Sequence, residues 1–454
     1  MRARVVAASG LTVLVTALAA LATSAAHAAP LWSEPRSIGA PTGVVSGAEI
    51  GFGPGGTALL SRRTSAGIGE PRDDDASRLA TLTPDGKLVE HRPLSDRLAA
   101  PPQLFGRGRV ALLRERLLSE PDATPRRVRL SLSLGSTGRP AGRGRPRRLA
   151  TFATFSSGGG PAMAVGPQGQ IAIVWVAYRG NESGSGRFRV QLALRRPNGR
   201  FDRTRTVASG PAEIDGGSLP PVAVAVGARR DVVVAYAAGA IRVRSLRRGR
   251  RFAAPQTLGP SSGFVDLAAR GARTGRVGVA WATQDGGEDV SEPFVVRAAL
   301  RAPGAARFGA TQVIDPGEAN GERVAGRMRL ALGADGTAAL AWSNARGRFP
   351  NVTQPVRATV AEQDGGFGPV VELAASGAAR DVAVRDDGAA LVTWTDARGR
   401  TIAPVTPQTF AALRAGPAQP FGAPELIASS SPDSGLDRQA AAAYDPRTGR
   451  PTVL

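Results

Sequence analysis

The chain has 454 residues, of which 42% are hydrophobic and 21% charged, enough for a globular protein with a sizeable buried core. Its 57 Gly and 35 Pro follow no Gly-X-Y period, and apolar runs recur throughout, which excludes collagen and wholesale disorder. Zero Cys excludes disulfides, thiol catalysis and thiolate metal sites, and the only two His, His27 and His91, exclude a multi-histidine metal centre. No cofactor is expected.

Arg2 and Arg4 precede an almost wholly apolar run from Val5 to Ala26, followed by Ala26-His27-Ala28. This reads as a secretion signal over residues 1–28, removed after Ala28, with residues 29–454 forming a single domain. No later stretch reaches the ~18 uninterrupted apolar residues of a membrane span.

An internal repeat organises the rest. An aromatic after a Gly-rich turn is followed six residues on by an aliphatic: Phe201 and Val207, Phe252 and Leu258, Phe308 and Ile314, Phe367 and Leu373, Phe421 and Ile427. Trp32 and Ile38 repeat the pair near the N-terminus, Leu88 and Leu94 repeat it with a Leu for the aromatic, and Arg143 and Leu149 fill the remaining slot. The first members are separated by 56, 55, 58, 51, 56, 59 and 54 residues. Within a unit, a short first strand (Met163 to Val165, Leu330 to Leu332, Val382 to Val384) meets a hairpin turn containing Gly or Asp, residues that tolerate positive φ. The second strand is apolar on both faces and ends in an aromatic: Ile171 to Trp175, Val232 to Tyr236, Val277 to Trp281, Ala338 to Trp342, Leu391 to Trp394. Such a strand belongs to a sheet covered on both sides. A third strand (Arg189 to Leu194, Val295 to Leu300, Val356 to Val360) and a fourth carrying the marker pair complete the unit. The fold class expected is all-β, a β-propeller of four-stranded antiparallel blades.

This layout resembles secreted bacterial β-propellers with loosely sialidase-like or WD-like blades. The sialidase box Ser-x-Asp-x-Gly-x-Thr-Trp has its nearest counterpart in Asp386-Asp387-Gly388 through Trp394, which departs from it in spacing and lacks the Ser, and the nearest to a WD dipeptide is Trp394-Thr395-Asp396. The resemblance therefore implies the fold and not the family's activities. The chain ends suggest how the ring closes. Ala441 to Tyr444 and Pro451 to Leu454 repeat the first two strands of a unit and stop, while Trp32 to Ile38 is a fourth strand with no unit before it. Joined, they make a composite blade, giving eight blades from seven whole repeats plus this one; seven blades with spare ends is the alternative.

Charge is the second informative feature. The formal net charge is +21, and residues 126–251 hold 24 Arg against five acids, while residues 30–125 and 252–454 are each balanced. Two runs dominate: Arg126, Arg127, Arg129, Arg139, Arg143, Arg145, Arg147 and Arg148, with no acid among them, and Arg242, Arg244, Arg247, Arg248, Arg250 and Arg251. Guanidinium groups pair bidentately with carboxylate or phosphate, so these arginines, Arg139 aside, are the candidate polyanion-binding residues. An acidic polysaccharide or teichoic-acid-like polymer is favoured over nucleic acid, because no aromatic interleaves the first run for base stacking.

Aligning the first strands on their turns puts Gly51, Ala164, Ala225, Ala331, Ala383 and Ala443 at one axial position. Two residues earlier come Glu49, Arg329 and Asp381, candidate ligand-binding residues at the channel mouth. Catalytic signals are thin: a sialidase-like mechanism asks for a Tyr nucleophile, and of Tyr178, Tyr236 and Tyr444 only Tyr178 reads as a loop residue. The acidic segments Asp73-Asp74-Asp75 and Asp285 to Asp289 lack the alternate-oxygen spacing of a calcium loop, so no metal residues are assigned. The sequence thus points to an exported, monomeric, noncatalytic binding or scaffold propeller. The alternative is a sialidase-like glycan hydrolase with its site at the ring axis.

Overall fold

The computed structural model describes residues 44–453 except 53–54, 66–75, 95, 107, 120–122, 124, 142–144, 155–159, 181–184, 214–218, 229–230, 248–250, 262, 285–292, 318–326, 345–352, 397–407 and 430–439. Residues 1–28, expected to be a secretion signal, and Trp32 to Ile38 lie outside the described residues.

The protein is an all-β propeller built from consecutive four-stranded antiparallel units. Unit 1 comprises Val44–Phe52, Ala58–Ser65, Ala76–Leu82 and Leu88–Glu90; unit 4, Val222–Val226, Val232–Ala237, Ala240–Leu246 and Gln256–Pro260. Unit 5 comprises Phe264–Gly271, Val277–Gln284, Phe294–Arg301 and Gln312–Asp315; unit 6, Arg327–Leu332, Ala338–Ser343, Val356–Ala361 and Val371–Ala374; unit 7, Ala378–Val384, Ala390–Thr395, Gln408–Arg414 and Glu425–Ser429. Each strand pairs with the next in sequence. The turns joining first and second strands hold the expected left-handed glycines, φ +78° at Gly169, +104° at Gly336 and +84° at Gly388.

Units 2 and 3 depart from this pattern. In unit 2 the first-strand place is split between Arg97–Leu98 and Gln103–Phe105, both pairing with Arg109–Leu117, and Arg126–Ser136 and Arg147–Thr154 follow. Unit 3 is Ala162–Val165, Ile171–Gly180, Ser185–Arg195 and Arg205–Glu213. Its second strand outruns its first, and the overhang pairs through Tyr178 with Ala153 of unit 2, fusing both units into one sheet.

The first strands of neighbouring units touch one after another around a ring, and Ala442–Tyr444, which pairs with Pro451–Val453, touches the first strands of both unit 7 and unit 1. These eight strands close the circle, in agreement with the eight-blade reading.

The core lies between units, which explains the two-faced apolarity of the second strands. In unit 4, Val232, Val234 and Tyr236 pack against unit 3, while Val233, Ala235 and Ala237 pack against unit 5. Full burial of each larger side chain is worth about 1.5 to 3 kcal/mol. Trp281, Trp342 and Trp394 close three of these second strands at 0–1% exposure.

Two joints also carry an arginine latch. Arg301 ends the third strand of unit 5 at 1% exposure, and its Nη2 pairs with Asp231 of unit 4 while Nη1 donates to Ser245 Oγ at 2.9 Å. Arg414 holds the same place in unit 7: its Nη2 pairs with Glu362 of unit 6, and Nη1 and Nε donate to the carbonyls of Gly388 (2.9 Å) and Gln419 (2.8 Å). Each latch takes its acid from the preceding unit.

Candidate functional site: the ring axis and the arginine-rich sector

Glu49, Arg329 and Asp381 stand on the first strands of units 1, 6 and 7 at the register position expected, and the structure brings them into electrostatic reach of one another through a fourth residue, Arg270 of unit 5. Arg270 occupies the small-residue position that Gly51, Ala225, Ala331 and Ala383 hold elsewhere. Its absence from that row of Gly and Ala is the signal sequence reasoning passed over. Units 1 and 5 lie four steps apart in a ring of eight first strands, so Arg270 and Glu49 face each other across the lumen. Arg270 is exposed to solvent yet enclosed by protein, the combination that a channel wall produces. Burial lowers its guanidinium from the ordinary value against the pull of Asp381 and Glu49, and Arg329 adds to the lowering.

The axial groups also tie strands together. The Val382 N–H donates to Asp381 Oδ1 and the Ala442 N–H to Oδ2, both at 2.9 Å, so this carboxylate straps unit 7 to the C-terminal strand pair. Burial raises the Asp381 carboxyl from its ordinary value, while those two N–H groups and then Arg329 and Arg270 act the other way. Arg329 Nε donates to the Arg380 carbonyl of unit 7 at 2.9 Å and its Nη1 to the Met328 carbonyl at 3.0 Å. Two guanidiniums and two carboxylates thus share one lumen, an arrangement suited to a sugar carboxylate or a zwitterionic group.

The arginine-rich sector divides by strand face. On Arg126–Ser136, Arg127 and Arg129 share the face of Arg116, which lies directly opposite Arg129, and of Arg114 and Arg148, both opposite Ser131. That face buries Val110 and Leu112 against unit 1 and then runs outward as a line of guanidiniums. Arg114 pairs with Asp96 at 3.0 Å, whereas Arg129 opposes a like charge and its Nε is buried without an acceptor among the described residues. Arg127, Arg145, Arg147 and Arg148 are exposed and Arg126 half-buried. Arg147 lies over the Phe201 ring of unit 3 at 4.2 Å.

In the second run, Arg244 is a structural staple. Its Nε donates to the Ala253 carbonyl at 3.1 Å and its Nη1 to the Val207 carbonyl of unit 3 at 2.6 Å, and it lies over Phe252. Arg247 donates to the Ala305 carbonyl of unit 5. Arg242 and Arg251 are exposed. Arg143, Arg248 and Arg250 lie outside the described residues, as do the acidic segments at 73–75 and 285–289.

One further expectation changes. Tyr178 is not a loop residue: it lies on Ile171–Gly180 at 4% exposure, packed with Phe188 and Val190, because the second strand of unit 3 outruns its partner. The Thr81 hydroxyl donates to the Thr137 carbonyl at 2.7 Å and so accepts from His91 Nε2 at 2.7 Å, while burial lowers the imidazole from its ordinary value.

No protein-family model matches the sequence, and no curated protein is similar to it in sequence. Among solved structures the chain is similar to an α-L-arabinofuranosidase from Fusarium graminearum, at 11% identity and a TM-score of 0.38 over 65% of this chain and 87% of that one. It is similar to a polysaccharide lyase at 8% identity and a TM-score of 0.42 over 90% and 86% of the two chains. A sialidase from Streptococcus pneumoniae gives 9% identity and a TM-score of 0.39 over 78% and 66%.

Proposed function

We propose that the protein is an exported, noncatalytic binding propeller whose ligand is an acidic glycan or related envelope polyanion held along the outer strands of units 2 to 4. The observation that carries this reading is the set Arg127, Arg145, Arg148 and Arg242, all exposed, none of which forms an ion pair among the described residues. A one-sign surface steers a polyanion and releases its counterions on contact. Replacing these four arginines with Gln is expected to weaken binding to a heparin or polygalacturonate probe. It should also reduce the slope of log affinity against log salt by roughly one for each arginine that touches the polymer. Replacing Arg92, Arg273, Arg307 and Arg450, equally exposed but outside the sector, removes the same charge and should do much less. Equal losses from the two quadruple variants, or no binding by the unaltered protein at low salt, would overturn the proposal.

A second reading, hydrolysis of an acidic glycan at the axis, is favoured by one observation: Glu49 and the raised Asp381 carboxyl share the lumen with two arginines able to hold a sugar carboxylate. It requires turnover of uronic- or sialic-acid oligosaccharides that Glu49→Gln abolishes with melting temperature unchanged. Absence of turnover across such a panel leaves the axial quartet as a structural ion network.

A further inference from the structure

The two latches recur at alternate joints, between units 4 and 5 and between units 6 and 7, and the joint between units 2 and 3 is the next in that series. Its third strand ends in Arg195, whose opposite number, Ile171, corresponds to Val277 opposite Arg301 and Ala390 opposite Arg414. No acid meets it. Asp231, the partner of Arg301, immediately precedes Val232, the first second-strand residue packed against the preceding unit. The residue in that place in unit 2, immediately before Val110, is Arg109. Glu362, the partner of Arg414, comes from the turn between third and fourth strands; the residue that the corresponding turn of unit 2 offers is Arg139.

These three arginines line an open cavity of about 650 Å³ together with Phe105, Leu134 and Ser136, and no acid is among its lining residues. Arg195 is 8% exposed, and its Nη1 is buried with no acceptor among the described residues. Arg109 is held against the Phe105 ring, 4.6 Å from the centroid. The turn glycine Gly169 of unit 3, at φ +78°, approaches Arg109 closely: a Cβ there would stand 3.3 Å from Arg109 Nη2. Burial, and then the proximity of Arg109, lower the Arg195 guanidinium. A buried, unpaired guanidinium facing a second one is unfavourable unless an anion lies between them.

We infer that Arg109, Arg139 and Arg195 form an anion-binding pocket at the joint of units 2 and 3, in which an oxyanion, a phosphate, sulfate or sugar carboxylate, takes the place that Asp231 and Glu362 fill at the other latches. Three guanidiniums supply forked donors to the oxyanion, and Phe105 and Leu134 give the attached group an apolar floor. This deepens the proposed polyanion binding, on which it rests for the nature of the ligand, by assigning one defined site for a charged group within the broad basic surface.

The test uses the full mature protein, with inorganic phosphate and sulfate as probes at constant ionic strength balanced by chloride. Phosphate should raise the melting temperature in a saturable manner, and calorimetric titration should give about one site per chain. Arg195→Gln and Arg139→Gln should each weaken that affinity at least about tenfold. Arg109→Asp, which rebuilds the acid of the unit 4 latch, should raise the melting temperature without phosphate and abolish the response to it. Retention of the full response in Arg195→Gln, or no response of the unaltered protein beyond that to chloride, would overturn the assignment, whether or not Arg109→Asp folds. The outer-strand quadruple variant separates the two claims: it should keep the phosphate response while losing polymer affinity. Polymer binding that depends on those four residues, with no phosphate response, would sink the pocket alone; a phosphate response without polymer binding would sink the wider reading alone.

Discussion

Asp231→Asn is expected to destabilise the protein by about 3 kcal/mol, because it leaves the Arg301 guanidinium buried without its counter-ion. Arg301 is 1% exposed, and its remaining neutral partner, Ser245 Oγ at 2.9 Å, cannot compensate a charge. The effect comes from orphaning the cation and not from the worth of the pair. The double variant Asp231→Asn with Arg301→Met should therefore recover most of the loss, since Met fills similar space beside Phe308 without a charge to solvate. Urea denaturation of the two single variants and the double variant measures the cycle. A loss below about 1 kcal/mol for Asp231→Asn would mean that water reaches the guanidinium and that the latch is not a buried pair.

The latches also show what the sequence revealed and what it hid. The repeat was legible because each marker position does one physical job. Phe201, Phe252, Phe367 and Phe421 each bridge back to the end of the third strand, and Val207, Leu258 and Leu373 are buried between units. Two-faced apolar second strands signalled a covered sheet for the same reason. Pairings across joints were not legible, since Arg301 and Asp231 are 70 residues apart and nothing local distinguishes them from solvated charges. The basic runs misled in part: Arg242 and Arg244 share one strand face, yet Arg244 donates to backbone carbonyls of its own unit and of unit 3 while Arg242 is exposed. At the axis, Glu49, Arg329 and Asp381 were found from register alone. Arg270 was missed because it sits two residues further along its strand than they do, on the same face but in a slot read only for small residues.

The largest single-residue effect is expected from Trp342, and its neighbours allow the effect to be divided. Trp342 is fully buried, and its Nε1 donates at 2.9 Å to Asp315 Oδ2, which also accepts from Arg357 Nη1 at 2.9 Å. Asp315 belongs to the fourth strand of unit 5, so one carboxylate fastens a tryptophan and an arginine of unit 6. Trp281 holds the matching place in unit 5, equally buried, but the fourth strand of unit 4 offers Gly259 where unit 5 has Asp315, and Trp281 Nε1 has no acceptor among the described residues. Trp342→Ala should lose about 3 to 5 kcal/mol from the cavity alone, and more once Asp315 is left with one partner fewer. Trp342→Phe and Trp281→Phe remove the same volume from corresponding sites, but only the first removes a hydrogen bond to a carboxylate, while the second relieves an unpaired N–H. The difference between them should be about 1.5 to 3 kcal/mol, with Trp342→Phe the less stable protein. Equal denaturation midpoints for the two Phe variants would show that the bond to Asp315 adds nothing beyond packing, and that the joint between units 5 and 6 is held by its apolar core.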